Sequence, residues 1–187
     1  MSDAAAPKLV ILDRDGVINA DADDYIKSAD EWIPLPGSID AIAALSRAGY
    51  LIAVATNQSG IARGFFDEYA LAQMHDKLCG LVEAAGGHIA VICYCPHHPD
   101  ADCGCRKPKT GLLQQIAAEL GEDVRGAWLV GDHEKDVRMA LAAGCRPLLV
   151  RSGKGAAFAE RLSGHLLPAA QVVDDLAAAA RLILATP

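Results

Sequence analysis

The sequence predicts an α/β domain in which a parallel sheet carries helices on both faces, and three observations support this. Short apolar runs rich in Val, Ile, Leu and Ala recur along the 187 residues, each followed by a stretch of helical periodicity. Hydrophobic residues make up 52% of the chain but aromatics only 5%, which suits a sheet covered by helices better than a sandwich or barrel. The length allows one well-buried core and is short for two, so residues 1–187 are expected to form a single domain.

Residues 8–12, 51–56, 89–93, 127–130 and 147–150 read as buried strands. Between the first two, residues 38–47 start at Ser38, a good N-cap residue, and stop at Gly49. A longer helix over 67–85 lines up Leu71, Met74, Leu78, Leu81 and Val82 on one face before Gly86 and Gly87 end it. Helices over 111–120, 135–143 and 174–184 complete the alternation. Such alternation implies right-handed crossovers and a Rossmann-like parallel sheet, with ligands at the carboxyl ends of the strands.

Net charge is −7, which gives no basic footprint for nucleic acid. The start, MSDAAAPK, shows no apolar leader segment, and no run approaches the ~18 apolar residues of a membrane span. The expectation is a cytoplasmic protein, acting as a monomer, with no membrane or nucleic-acid partner. In that reducing compartment clustered cysteines point to a metal rather than to disulfides.

Chemistry concentrates where the strands end. The first runs into LDRDG, so Asp13 and Asp15 stand two apart and can converge on one point. Crowding like charges is costly unless a cation or a proton relieves it. The second ends in ATNQSG, offering the Thr56 hydroxyl and the turn amides of Asn57, Gln58 and Ser59 as a neutral cradle for a phosphoryl group. The fourth ends in GDHEKD, where Asp132 leaves the strand and Asp136 follows one turn into a helix. Taken singly these are ordinary strand-end and capping residues. Taken together with Lys107 they place three carboxylates, a hydroxyl and an ammonium around one cleft. Asp13, Asp132 and a backbone carbonyl then make a hard oxygen site suited to Mg²⁺.

Residues 93–109, CYCPHHPDADCGCRKPK, hold four of the six cysteines and two of the six histidines. Cys95 and His97 lie on one side of an extended arm, Cys103 and Cys105 on one side of another. A Cys₃His set of this kind is a closed tetrahedral Zn²⁺ site with no open position, hence structural; His98 is the alternative to His97. Cys79, Cys93 and Cys145 read as small buried thiols. Arg106 and Lys107 follow the last ligand directly, so a metal-fixed loop over 95–105 would deliver two cations to the cleft. Gly111 would then open a helix whose N-terminus also favours phosphate.

DRDGVIN, TNQSG, the lysine of CRKP and GDHEKD, in that order, resemble the four motifs of the haloacid-dehalogenase superfamily of phosphatases, over residues 9 to about 152. The resemblance extends to a zinc-loop subgroup carrying CxH…CxC at this point, whose members act on phosphorylated sugars or on histidinol phosphate. TNQSGIARG resembles the sugar-bisphosphate branch, the compact CPHHPDADCGC the histidinol-phosphate branch. It implies that Asp13 is a nucleophile, that Asp15 is an acid and base, and that Thr56 and Lys107 hold the transferring group. Mg²⁺ would be held by Asp13, the Asp15 carbonyl and Asp132. Asp136 would orient Lys107 or a metal-bound water, Asp21 and Tyr25 would flank the substrate with His133 near it, and Arg106 would meet a second phosphate. The flap over 19–32 is too short for a cap domain. An inactive zinc-stabilised binding module is the reading from another class, which the full set of motif residues disfavours.

Overall fold

The computed structural model describes residues 8–161 and 170–186; the first seven residues, part of the leader argument, lie outside them. Six strands form one sheet: β1 (Leu9–Leu12), β2 (Leu51–Asn57), β3 (Val91–Cys95), β4 (Trp128–Gly131), β5 (Arg146–Val150) and β6 (Gln171–Val173). All pairings are parallel, in the spatial order β3-β2-β1-β4-β5-β6. The helices are α1 (Ser38–Arg47), α2 (Glu68–Ala84), α3 (Gly111–Leu120), α4 (Glu134–Ala142), α5 (Gly155–Arg161) and α6 (Leu176–Ala185).

Alternation along the strands divides the core into two layers. Val10, Leu12, Ile52 and Val54 face α1, α2 and α6, meeting Ile42, Leu45, Met74, Leu78 and Ile183. Leu9, Ile11, Ala53 and Leu129 face the other way, against Leu112, Leu113 and Ile116 of α3 and Met139 of α4. Each fully buried aliphatic side chain contributes on the order of 1.5–3 kcal/mol, so neither layer could be left uncovered. Leu81, expected on the buried face of α2, is 37% exposed.

Several boundaries differ from expectation, each for a local reason. The third strand starts at 91 and ends at 95 where 89–93 was expected, and its end follows β2, which runs on to Asn57 and pairs it with Cys95. α5 and β6 were not expected: α5 is seven residues long, and β6 is a three-residue strand whose Gln171 is exposed. Cys93 and Cys145 are buried as expected, Cys79 only partly. Between β1 and α1 there are only isolated bridges, Asp15 with Asn19 and Asn19 with Pro34, and no cap domain. Trp32 anchors this flap in the core, and Lys77 Nζ donates to the carbonyls of Ala29 (2.6 Å) and Trp32 (2.8 Å). Among the described residues no helix is long and apolar enough to cross a membrane.

Two glycines test how tightly the sheet is fitted to its helices. A Cβ on Gly131, the last residue of β4, would lie 2.2 Å from the Cβ of Asp136, whereas one on Gly80 of α2 meets nothing within 4 Å. Gly131→Ala should therefore destabilise by about 1–3 kcal/mol. Gly80→Ala should stabilise by about 0.5–1 kcal/mol, because glycine is the poorer residue inside a helix. Urea unfolding of both variants checks the opposite signs.

Candidate active site

The crossovers set where a site can form. α1 and α2 cover one face and α3, α4 and α5 the other, so the connections reverse between β1 and β4, and a crevice opens at the carboxyl ends of those strands. A cleft of about 250 Å³ lies there. Asp13 leaves β1 and Asp132 leaves β4, and the Asp13 amide still donates to the Val130 carbonyl at 2.9 Å.

Lys107 sits at the centre, only 4% exposed. Its Nζ lies 2.7 Å from Asp13 Oδ1 and 2.8 Å from Asp136 Oδ1. Against the opposing effect of burial, the charges of those carboxylates hold its pKa above the ordinary lysine value. Its backbone is fixed too: Lys107 N donates to Asn57 Oδ1 at 3.1 Å. Asp136 faces Lys107 with one oxygen and accepts from the His133 amide with the other (3.1 Å), so both its oxygens are engaged. Burial, with added repulsion from Asp136 and Asp132, pushes Asp13 well above the usual carboxylate range despite Lys107. Asp132 is pushed up to about 7, mainly by burial. One ammonium thus faces three carboxylates whose oxygens lie within 4.8 Å of one another. The excess negative charge and the all-oxygen donor set fit a hard divalent cation such as Mg²⁺; Asp13 Oδ1 is engaged by Lys107 and Asp132 Oδ2 accepts from the Lys154 amide at 2.8 Å, which leaves the other oxygen of each for a cation.

Asp15 is held differently. Its Oδ1 accepts from Arg14 Nε (3.1 Å), Arg14 Nη2 (2.9 Å) and Asn19 Nδ2 (2.9 Å), and its Oδ2 from Arg14 Nη2 (3.1 Å) and Gln58 Nε2 (2.9 Å). Although burial opposes it, the Arg14 charge and these bonds lower the Asp15 pKa below the ordinary value. Gln58 Nε2 also donates to Thr56 Oγ1 at 2.8 Å, tying the hydroxyl to the carboxylate. The expected cradle of amides is only partly present. The Gln58 N–H donates to Cys95 O at 2.8 Å, because the β2–β3 ladder continues one residue past the strand, and the Asn57 side chain holds Lys107 instead. Ser59 is buried at the cleft wall.

The expected flanking residues all line the cleft. Asp21 pairs with Lys154 at 3.1 Å, and Tyr25, at φ 70°, packs on Phe65. His133 caps α4, its Nδ1 accepting from the Lys135 amide at 3.1 Å while its ring rests on Phe158. Only its other nitrogen could meet a ligand. Arg106 Nη1 is buried without a partner. The α3 N-terminus is not in the cleft: the Gly111 amide donates to Gly104 O, and a Cβ there would meet that oxygen at 2.4 Å. The sequence reading missed Arg14, Lys135 and Lys154. Lys154, in a Gly-Lys-Gly run just past a strand end, could have been found by position; Arg14, alternating away from its acidic neighbours, could not.

The loop after β3 gathers Cys95, His97, Cys103 and Cys105, with ligand atoms within 4.8 Å of one another. Separations are 3.5 Å for Cys95–Cys103, 3.6 Å for Cys103–Cys105, 3.6 Å for Cys95–His97 and 3.2 Å for His97–Cys105. Zinc–sulfur bonds of about 2.3 Å give tetrahedral sulfur–sulfur edges of about 3.8 Å, so the set fits Zn²⁺. His98 lies outside it, capping a 3₁₀ turn over Pro99–Ala101.

Two protein-family models match the chain: HAD-hydrolase-like over residues 104–179 and Polynucleotide kinase 3 phosphatase over residues 8–138. The D-glycero-beta-D-manno-heptose-1,7-bisphosphate 7-phosphatase of Pseudomonas aeruginosa is 55% identical over 177 residues, spanning 94% of this chain and 97% of the relative. A crystal structure of the D,D-heptose 1,7-bisphosphate phosphatase from B. bronchiseptica, complexed with magnesium and phosphate, superposes with a TM-score of 0.89 at 46% identity, over 94% of this chain and 97% of that one. The enzyme of the same name from Burkholderia thailandensis gives 0.74 at 40% identity, over 95% and 99%. Agreement at this identity over nearly the whole of both chains settles the kinship that the strand-end motifs indicated: the chain belongs to the D,D-heptose bisphosphate phosphatase family of the haloacid-dehalogenase superfamily.

Proposed function

We propose that this chain is a Mg²⁺-dependent cytoplasmic phosphatase that removes the 7-phosphate of D-glycero-β-D-manno-heptose 1,7-bisphosphate, a step in making activated heptose for lipopolysaccharide core. The observation that carries the chemistry is the buried contact of Lys107 Nζ with Asp13 Oδ1 (2.7 Å) beside Asp132, at the point where β1 and β4 part. The names of the relatives support the substrate.

Asp13 attacks phosphorus in line and becomes an aspartyl-phosphate, which divides one difficult displacement into two easier ones. Asp15 gives a proton to the leaving sugar oxygen and later takes one from the hydrolytic water. Thr56 and Lys107 hold the equatorial oxygens, since phosphoryl transfer depends mainly on position and charge. Asp136 keeps Lys107 in place. Asp13, the Asp15 carbonyl and Asp132 would hold Mg²⁺, which when bound neutralises charge between the attacking carboxylate and the phosphate. Cys95, His97, Cys103 and Cys105 would hold a structural Zn²⁺ that fixes the loop carrying Arg106 and Lys107. One domain suffices for all of this.

Three outcomes are expected. Purified protein should carry one tightly held zinc per chain, and turnover should need added Mg²⁺. Because structural zinc binding is also folding energy, Cys103→Ser should lower the melting temperature more than it alters the remaining chemistry. Metal analysis without zinc, or full turnover without Mg²⁺, would overturn this division.

Asp13→Ala should abolish phosphate release from the bisphosphate while leaving the circular dichroism spectrum intact, and BeF₃⁻ should bind the native enzyme but not the variant. Residual turnover above a trace would mean that water attacks directly.

Arg106 lines the cleft with a buried, unpartnered Nη1, which supports its reading as the group whose planar fork meets the second phosphate. Hydrogen bonds to charged groups are worth about 1.5–3 kcal/mol, so Arg106→Ala should lower kcat/KM for the bisphosphate roughly 10- to 150-fold. An aryl monophosphate should be little affected. Equal losses on the two substrates, or faster turnover of histidinol phosphate by the native enzyme, would remove the bisphosphate assignment.

A further inference from the structure

Arg14 is a charge with no assigned work. It is fully buried between two cleft aspartates and holds Asp15, yet no step of the reaction above uses it. Its backbone carbonyl accepts from the amides of Val17, Ile18 and Asn19, which turns the chain back on itself. That turn lets the side chain fold onto the next residue, and the guanidinium meets Asp15 with both Nε and Nη2. Its remaining arm, Nη1, lies 3.4 Å from His75 Nε2 on α2. Burial and the Arg14 charge lower the His75 pKa to about 4, so that ring is neutral and can accept a hydrogen bond there. The His75 ring in turn leans on Tyr94 of β3. The fork is therefore braced from behind by two elements of the scaffold.

The bonds on Asp15 are unequal. Oδ1 is the more heavily engaged oxygen, with three donors, from Arg14 Nε, Arg14 Nη2 and Asn19. Oδ2 carries Gln58 and a longer share of the same Nη2 group. It is also the oxygen joined through Gln58 to Thr56, on the side where a phosphoryl group would sit. We propose that Arg14, braced by His75, is a positioning residue that occupies Oδ1 of Asp15 and so aims Oδ2 at the leaving oxygen, making Oδ2 the atom that exchanges the proton. As the phosphorus–oxygen bond to the leaving group breaks, the proton on Oδ2 passes to that oxygen. In the second half, the attacking water returns a proton to Oδ2 and the carboxyl is restored.

This inference rests on the reading of Asp15 as the acid, and the test separates the two. kcat/KM is measured over a series of aryl phosphates from 4-nitrophenyl, whose leaving group needs little protonation, to 4-methoxyphenyl, which needs it. General acid catalysis is worth about 10²–10⁴-fold, so Asp15→Asn should lose heavily at the methoxy end. Arg14→Gln should lose about 30-fold or more at that end and no more than about 3-fold at the nitro end. Arg14→Lys, which keeps charge without the fork, should not restore the series. Adding Arg14→Gln to Asp15→Asn should cost less than about a further 3-fold, because both changes remove one function. If Arg14→Gln does not fold, His75→Leu should show the same trend at about 3- to 10-fold. Uniform losses along the series, or additive losses in the double variant, would make Arg14 structural and sink the proposal. A flat series for Asp15→Asn itself would instead remove the acid assignment.

Discussion

Most of the site depends on burying one ammonium among three carboxylates. A lysine taken out of water is unstable as a cation unless partners surround it, and Lys107 is held by contacts of 2.7 and 2.8 Å to Asp13 and Asp136. Every neighbouring element serves that contact. β1 ends where Asp13 can reach it, and the first turn of α4 brings Asp136 from behind. Gly131 leaves room for Asp136 to approach β4, and Asn57 fixes the lysine backbone from the end of β2. The charge imbalance that remains is what suits the crevice to a divalent cation.

The same crevice treats its two leading aspartates in opposite ways. Asp13 is raised by burial and by like charges, so its ionisation depends on what else enters the site. Asp15 sits one residue beyond Arg14 in a shell of donors and is lowered. Two carboxylates two positions apart therefore meet different electrostatics, as the separate roles proposed for them require.

What could be read from the sequence followed from period and position. Alternation in LVIL and the runs after it gave a sheet covered on two faces. Strand ends then marked Asp13, Thr56 and Asp132, because a parallel sheet collects its carboxyl ends on one edge. The Cys-x-His and Cys-x-Cys arms were legible for the same reason, since alternation puts i and i+2 on one side. Contacts that break such rules were hidden. Arg14 folds back on its own neighbour, and the Gln58 amide is taken up by a ladder that outlasts its strand. β6 pairs through three residues with one of them exposed, too little pattern to detect. The α3 N-terminus looked like a phosphate site because helix starts often are, but Gly104 already satisfies it.

The strand order carries a practical corollary. The carboxylates proposed for phosphorus chemistry stand at the ends of β1 and β4 in the middle of the sheet, beside Thr56 of β2, while the flap over 19–32 and the loop leaving the edge strand β3 line the rest of the cleft. The flap pairs only through the isolated bridges of Asn19, and the β3 loop leaves the ladder at Cys95. A designer could therefore change the exposed stretches between Asn19 and Trp32 or between Cys95 and Cys105, altering which leaving group is admitted, while the Asn19 bond to Asp15, the buried Trp32 and Lys107 stay in place. The Cys₃His cluster sets the tolerance of such grafts: any replacement must end on a cysteine placed so that the next two side chains still reach the crevice.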